Sequence, residues 1–435
     1  MYNGLFFVFF IISSFFLFKI CALVWREWCN PFFIIDILYI ILILAAYYGL
    51  SECTWYLSGV LWLTIALWSL TIGGAFGKAL FKQHNRKIIA IETCIIDVHI
   101  SNLAWFFLRI MIILALMGWA YQVVSNGFSS SDFTSLDSLA KMNNEVAVER
   151  YSGQSNSNVI TTISMIVTYT AALCGGFLFP FAKTKPNKIV AVFSMIPIML
   201  VMLFCNGKSG FLSCIILWGS AFLTSFFYIH KQSPKVDLSK LIGYSILAVF
   251  ALAFLLFSMM LRIGHVDLET FNVVTQKFMS YAFGEIQAFD YWFELGRSNI
   301  EYSVGVQTFM AIFHSVGLIK RKQGVYGLMP GVISNVYTVF RGIIEDFGTV
   351  GGLAFVAVCG CLAGYYFEKI KYSVRVPVVS VFFVISIEFF FMYGYIISPW
   401  IYASYMAMMA LFMGFTMLCK RKSIKIVCGN KVLIG

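Results

Sequence analysis

The sequence predicts an all-α polytopic membrane protein, and three observations carry that prediction. Of the 435 residues, 60% are hydrophobic and 12% are charged, about half the charge usual in soluble domains. Apolar runs of about 20 residues, long enough to cross a bilayer as helices, recur from end to end. Basic residues gather in alternate connections between those runs.

Taken in order, about eleven runs (ten to twelve) read as spans: 5–24, 32–50, 55–77, 100–121, 159–182, 189–205, 210–229, 241–261, 349–367, 376–397 and 400–418. The first follows no basic region and ends at no small-residue cleavage site, so it reads as a true helix and not a removed signal peptide. Residues 1–435 are expected to form a single integral membrane domain. The eleven cysteines are scattered, with no CxxC or CxxH pair, and support neither a disulfide framework nor a zinc site. No metal or other cofactor is expected.

A net charge of +11 raises the question of nucleic acid. Its placement excludes that partner class. Twenty of the 31 basic residues lie on one face of the predicted topology, in stretches such as "KALFKQHNRK" (78–87), "KTKPNK" (183–188) and "KRKSIK" (420–425). The positive-inside rule puts that face in the cytoplasm. The N-terminus is then outside, the C-terminus inside, and the basic residues serve as topology signals and contacts to membrane lipid.

Two segments of the opposite face are long. Residues 122–158 are rich in Ser, Asn and Asp and read as a solvated, loosely folded first extracytoplasmic loop. Residues 262–348, between the eighth and ninth helices, read as a large folded cap. Within it, Phe278, Ala282, Ile286, Phe289 and Phe293 share one helical face, with Lys277, Tyr281, Gly284, Gln287, Asp290 and Glu294 on the other. That pattern predicts an amphipathic helix over 277–294, lying at the membrane interface or on the bundle.

The cap carries Arg262, Arg297, Arg341 and the cluster Lys320-Arg321-Lys322, against the topology signal. Ion pairing with the eight acids of the same segment is one explanation. Recognition of a diphosphate at the membrane surface by Arg262, Arg297 and Arg341 is the other, because guanidinium groups grip phosphate oxygens in a bidentate fork. Glu345 stands four residues after Arg341, close enough on a helix to orient it.

These residues also carry a resemblance. Asn335, Tyr337 and Thr338, then Arg341, then Asp346, Phe347, Gly348 and Gly351 entering an apolar helix, resemble the Wzy-type O-antigen polymerases, the oligosaccharide repeat unit polymerase family. "YAFGEIQAFDYW" (281–292) and "REWCNPFFII" (26–35) are similar to stretches of that family. The related ligases bear a histidine before a similar Gly-x-x-Gly; here Ser334-Asn335 stands in its place, which favours a polymerase.

The resemblance implies transfer of a growing glycan from undecaprenyl diphosphate to the terminal sugar hydroxyl of a new lipid-linked repeat unit, on the outer face of the bacterial inner membrane. It also implies a chain-length-regulating membrane protein as partner. For that reaction Arg341 would stabilise the departing diphosphate, and Asp290 or Asp346 would accept the proton of the attacking hydroxyl. Asn335, Tyr337 and Glu345 would form the substrate contacts. A lipid-linked oligosaccharide flippase and an O-antigen ligase are the competing readings.

Overall fold

The computed structural model describes residues 2–27, 29–84, 95–98, 100–151, 158–205, 207–235, 237–299, 302–320, 326–327, 329–332, 334–373, 375–419, 424–428 and 431–434. Its helices, in chain order, are α1 (Tyr2–Trp25), α2 (Pro31–Gly49), α3 (Ser58–His84), α4 (Asn102–Ser125), α5 (Leu136–Tyr151), α6 (Val159–Leu178), α7 (Lys185–Phe193) and α8 (Ile196–Cys205). There follow α9 (Lys208–His230), α10 (Leu238–Ile263), α11 (Leu268–Leu295), α12 (Met310–Ser315), α13 (Val339–Tyr372), α14 (Val378–Tyr393) and α15 (Ala403–Leu418).

Each predicted apolar run holds a helix. Among the described residues, eight segments are long and apolar enough to cross a membrane: Pro31–Gly49, Ser58–His84, Asn102–Ser125, Val159–Phe181, Lys185–Cys205, Lys208–His230, Leu238–Ile263 and Val339–Tyr372. Phe10–Trp25, Val378–Tyr393 and Ala403–Leu418 are apolar but shorter. The chain is a multi-pass helical membrane protein. To the helices is added a small antiparallel sheet in the order β1 (Ile95–Val98), β2 (Ile424–Cys428), β3 (Lys431–Ile434). Its register pairs Ile96 with Ile426, and Ile426 with Leu433.

The chain divides into two compact units, with boundaries inside α9 and α11. The first comprises Met1–Ile100, Leu223–Ser233 and Met279–Gly435; the second comprises Ser101–Phe222 and Pro234–Phe278.

In the first unit α3 lies along α13 at backbone contact. Gly73 and Gly77 on α3 face the carbonyl oxygens of Ala357 and Cys361, while Gly360 and Gly364 on α13 face those of Leu70 and Gly74. A Cβ at any of the four would collide with backbone. The pattern is a reciprocal pair of small-xxx-small stretches, the device by which apolar helices approach closely where lipid offers no hydrophobic drive to pack. Below this contact, Lys78 pairs with Glu368 at 3.1 Å and Lys371 with Glu27.

In the second unit α4 packs on α6 through Gly118 and Ser164, and Gln122 Nε2 donates to Ser164 Oγ at 3.0 Å. The 122–158 segment differs from the expected loose loop. It contains a 3-10 turn (Ser130–Phe133) and α5, and Leu139, Met142 and Val146 pack with Trp119, Val123, Phe128 and Phe204. Apolar residues at 139, 142 and 146 keep helical spacing beneath the polar composition. Asn144 Nδ2 donates to the Arg262 carbonyl oxygen at 2.9 Å, closing the C-terminus of α10, where Gly264 takes φ +101°.

Candidate functional site

The site builds on α13. Thr338 stands at its N-cap and Val339 N donates to Gly394 O at 2.6 Å, from the connection after α14. Nine residues on, Gly348 takes φ +75° and ψ 174°, and breaks the helix. An L side chain is disfavoured at that φ. The opening turns carrying Arg341, Glu345 and Asp346 are therefore offset from the apolar remainder.

Arg341 is enclosed by aromatic rings. Its guanidinium carbon lies 4.0 Å from the Tyr326 ring centroid, 4.2 Å from that of Tyr337 and 5.0 Å from that of Trp292. Nε donates to Glu345 Oε1 at 2.9 Å, the pairing expected one helical turn apart. Nη1 is buried and has no hydrogen-bond partner among the described residues. Aromatic faces attract the cation without consuming its N–H donors, so the enclosure fixes the guanidinium and leaves part of its fork open. Tyr337 is fully buried and its hydroxyl donates to Gly327 O at 3.3 Å. Burial holds that phenol above its ordinary pKa, against the opposing charge of Arg341.

The two aspartates are engaged by hydrogen-bond donors. Asp290, on α11, is fully buried, and its Oδ2 accepts from Tyr56 N and Leu57 N at 2.8 and 2.9 Å. Its Oδ1 accepts from Gly59 N and Val60 N at 2.9 and 3.3 Å. Burial raises the pKa of this carboxyl while the four backbone donors lower it. Asp290 thus caps the N-terminus of α3, as an N-cap side chain would, but from another helix. Asp346 accepts from Ser303 Oγ and Gln307 N through Oδ1, at 2.5 and 2.9 Å, and from Thr308 N through Oδ2 at 2.7 Å. It ties residues 303–308 to α13. Through these donors both carboxylates position backbone.

Arg297 follows α11 in a 3-10 turn (Arg297–Asn299), exposed, with its guanidinium 4.3 Å from the Phe293 ring. Asn335 is exposed ahead of α13. Arg262 belongs to the second unit, while Arg297 and Arg341 belong to the first. Lys320 is exposed; Arg321 and Lys322 lie outside the described residues, as does the side chain of Tyr281.

Of the two placements expected for the cap helix, the described residues show packing against other helices: residues 284–290 are buried all round, and α11 begins at Leu268, nine residues before the predicted start. Lys277 and Glu294 on its polar face are exposed, while Gln287 and Asp290 are buried where the α2–α3 connection supplies partners: Asp290 takes the four N–H groups, and Gln287 Nε2 donates to Thr54 O at 3.0 Å. Sequence reasoning missed Glu285. It is 5% exposed, with Oε2 buried and unpartnered among the described residues. The signal was present: Glu285 falls seven residues after Phe278, on the apolar stripe itself.

Among the described residues no group of three or more His, Cys, Asp and Glu side chains gathers to hold a metal ion. Comparison with known protein families, with characterised proteins and with solved structures finds no match.

Proposed function

We propose that this chain polymerises oligosaccharide repeat units carried on undecaprenyl diphosphate. A growing glycan passes from its lipid diphosphate to the terminal sugar hydroxyl of a new lipid-linked unit, at the outer face of the bacterial cytoplasmic membrane. The observation that carries this reading is Arg341, fixed by three aromatic rings and Glu345, with Nη1 unspent, beside a helix break at the mouth of an apolar helix.

The chemistry asks for little else. The glycosyl diphosphate bond supplies the driving force, so no nucleotide is required. The diphosphate gains negative charge as the bond to the sugar breaks, and a prearranged guanidinium stabilises that charge where it develops. Tyr326, Tyr337 and Trp292 hold Arg341 in one orientation, which lowers the cost of reorganisation during the reaction. Exposed Asn335 and Arg297 take outlying contacts with the sugars and the lipid diphosphate. The resemblance at Asn335, Tyr337, Thr338, Arg341 and the Asp346–Gly351 stretch points the same way. In this reading the N-terminus faces outward and the C-terminus the cytoplasm.

Surface polysaccharide from a strain lacking this chain tests the reading. One repeat unit on each lipid core, with no ladder above it, is the expected pattern. Complete loss of repeat units would instead assign the chain to lipid-linked oligosaccharide transport or to ligation. Reporters joined after Gly127 should read outside, and those after Lys185 and Lys371 cytoplasmic.

A further inference from the structure

The connection between α11 and α13 is fastened at two places. Ser303 N donates to Glu345 O at 3.1 Å, and Gln307 N and Thr308 N donate to the Asp346 carboxylate. Ser398 Oγ donates to Thr308 O at 2.7 Å, and the Phe309 ring stacks on Trp400 at 5.1 Å. α12 packs on the 3-10 turn Pro399–Ile401 and on α15. Residues 302–318 therefore sit where the apolar lengths of α13 and α15 begin.

The side chains that this fastening leaves outside are apolar. Val304 is 73% exposed and Leu318 69%, and Tyr302, Ile312 and Val316 are exposed with them. Single exposed apolar residues are ordinary, but a cluster of them in one connection marks a surface that meets an apolar medium. Val304 adds an independent sign. It takes φ +47°, followed by Gly305 at φ +94°. A turn of that kind in water belongs to Gly, Asn or Asp, and a β-branched residue is an outlier there. Gly305 lies beneath the rings of Phe309 and Phe313, while Val304 is turned outward.

The apolar surface is continuous with a membrane-facing one. Phe309 meets Phe355 of α13 at 6.1 Å, next in the chain to exposed Ala354. Val350, Ala354 and Val358 are exposed at four-residue spacing along that helix, the stripe that a spanning helix turns to acyl chains. At the far end of the segment Lys320 is exposed, and it opens the basic run Lys320-Arg321-Lys322 of the sequence. Apolar side chains with a basic residue at their margin match a bilayer surface, with acyl chains below and anionic phosphates above.

We propose that residues 302–320 form a foot that rests in the leaflet α13 enters, in contact with anionic phospholipid. Tyr302, Val304, Ile312, Val316 and Leu318 enter the upper acyl region, and Lys320 meets the lipid phosphates. The foot is hydrogen-bonded to Glu345 O and to the Asp346 carboxylate, so it holds the turn that carries Arg341 at headgroup depth. It goes beyond the polymerase reading and does not depend on it.

The test places a diazirine-bearing amino acid at Val304, Val316 or Leu318 of the full chain, in nanodiscs of equal phosphatidylglycerol and phosphatidylcholine. Mass spectrometry after irradiation reads what each position has captured. Exposed Val350 on the apolar length of α13 and exposed Asn335 ahead of that helix calibrate lipid and water. All three positions should form phospholipid adducts as Val350 does, while Asn335 reacts with water. Lys320→Gln should lower the ratio of phosphatidylglycerol to phosphatidylcholine among the Leu318 adducts by about fivefold, the worth of one basic side chain at an anionic surface. Water adducts at all three positions, beside lipid adducts at Val350, overturn the foot. Crosslinks to a second protein chain overturn it too, and assign the surface to a protein partner. An unchanged headgroup ratio in Lys320→Gln overturns the phosphate contact. None of these outcomes reads polymer, so the foot can fail while the polymerase reading stands.

Discussion

Gly59 N donates to Asp290 Oδ1 at 2.9 Å, and a Cβ on Gly59 would stand 2.6 Å from the Asp290 Cα. The first turn of α3 and the second half of α11 therefore meet backbone to backbone, with a carboxylate bridging them. Leu57, just ahead of the helix, takes φ +69°, an unusual value for a leucine, so that the chain can present its N–H to the same carboxylate.

Replacing Asp290 should therefore unfold more than it inactivates. Asp290→Ala strands four backbone donors inside the protein, and a loss of roughly 2–4 kcal/mol is expected from the combined cap and burial costs. Asp290→Asn should fare little better, because its amide turns donors toward donors. Thermal unfolding in detergent measures the loss; Gly59→Ala should produce a loss as well. A full-stability Asp290→Asn that makes no polymer would return Asp290 to the role of proton acceptor.

Arg341 should behave differently. Arg341→Ala removes a charge-assisted contact worth about 1.5–3 kcal/mol, or about 10- to 150-fold in affinity for undecaprenyl diphosphate. Arg341→Lys keeps the charge but loses the planar fork and the stacking on Tyr326 and Tyr337, so it should recover only a fraction. Titration of the purified protein with undecaprenyl diphosphate gives the comparison. Equal affinity in Arg341→Ala would leave Arg341 as a structural partner of Glu345.

The glycine contact between α3 and α13 predicts an asymmetry among alanine substitutions. Gly77→Ala and Gly364→Ala drive a methyl into the carbonyls of Cys361 and Gly74, neither of which can swing aside. Each should lower the melting temperature. Gly414→Ala on α15 meets nothing within 4 Å and should raise stability by about 0.5–1 kcal/mol, since alanine is the better helix former. If all three substitutions stabilise alike, the helices do not approach as described.

The helices were legible in the sequence because a bilayer-length apolar run has few alternatives to a helix. The pairing of Arg341 with Glu345 was legible for a similar reason: four residues on a helix fix proximity without knowledge of the fold. The partners of Asp290 and Asp346 were not legible, because all but Ser303 Oγ are backbone N–H groups, which leave no trace in residue identity. Residues 56–60 and 303–308 offer those donors only once the chain has folded around them. The same blindness hid which polar residues of α11 face inward: Gln287 and Asp290 are buried against backbone, while Lys277 and Glu294 are exposed. The glycines at 73, 77, 360 and 364 were a readable signal that drew no inference. Glu285 was readable too, as a carboxylate on an apolar stripe.

Glu285 finally sets a pH dependence of stability that can be measured without any substrate. Its carboxyl rises from 4.5 to about 8 on burial, so between those values the folded protein holds a proton that the unfolded chain releases. Proton uptake on folding stabilises the fold at low pH. The contribution is fully present below about 4.5 and is lost as pH rises through about 8. Melting temperature in detergent should therefore decline across that window in the wild type. Glu285→Gln cannot ionise and should show a flatter profile, crossing the wild type at the alkaline end. Parallel profiles for the two proteins would mean that the Glu285 carboxyl stays ionised in the fold.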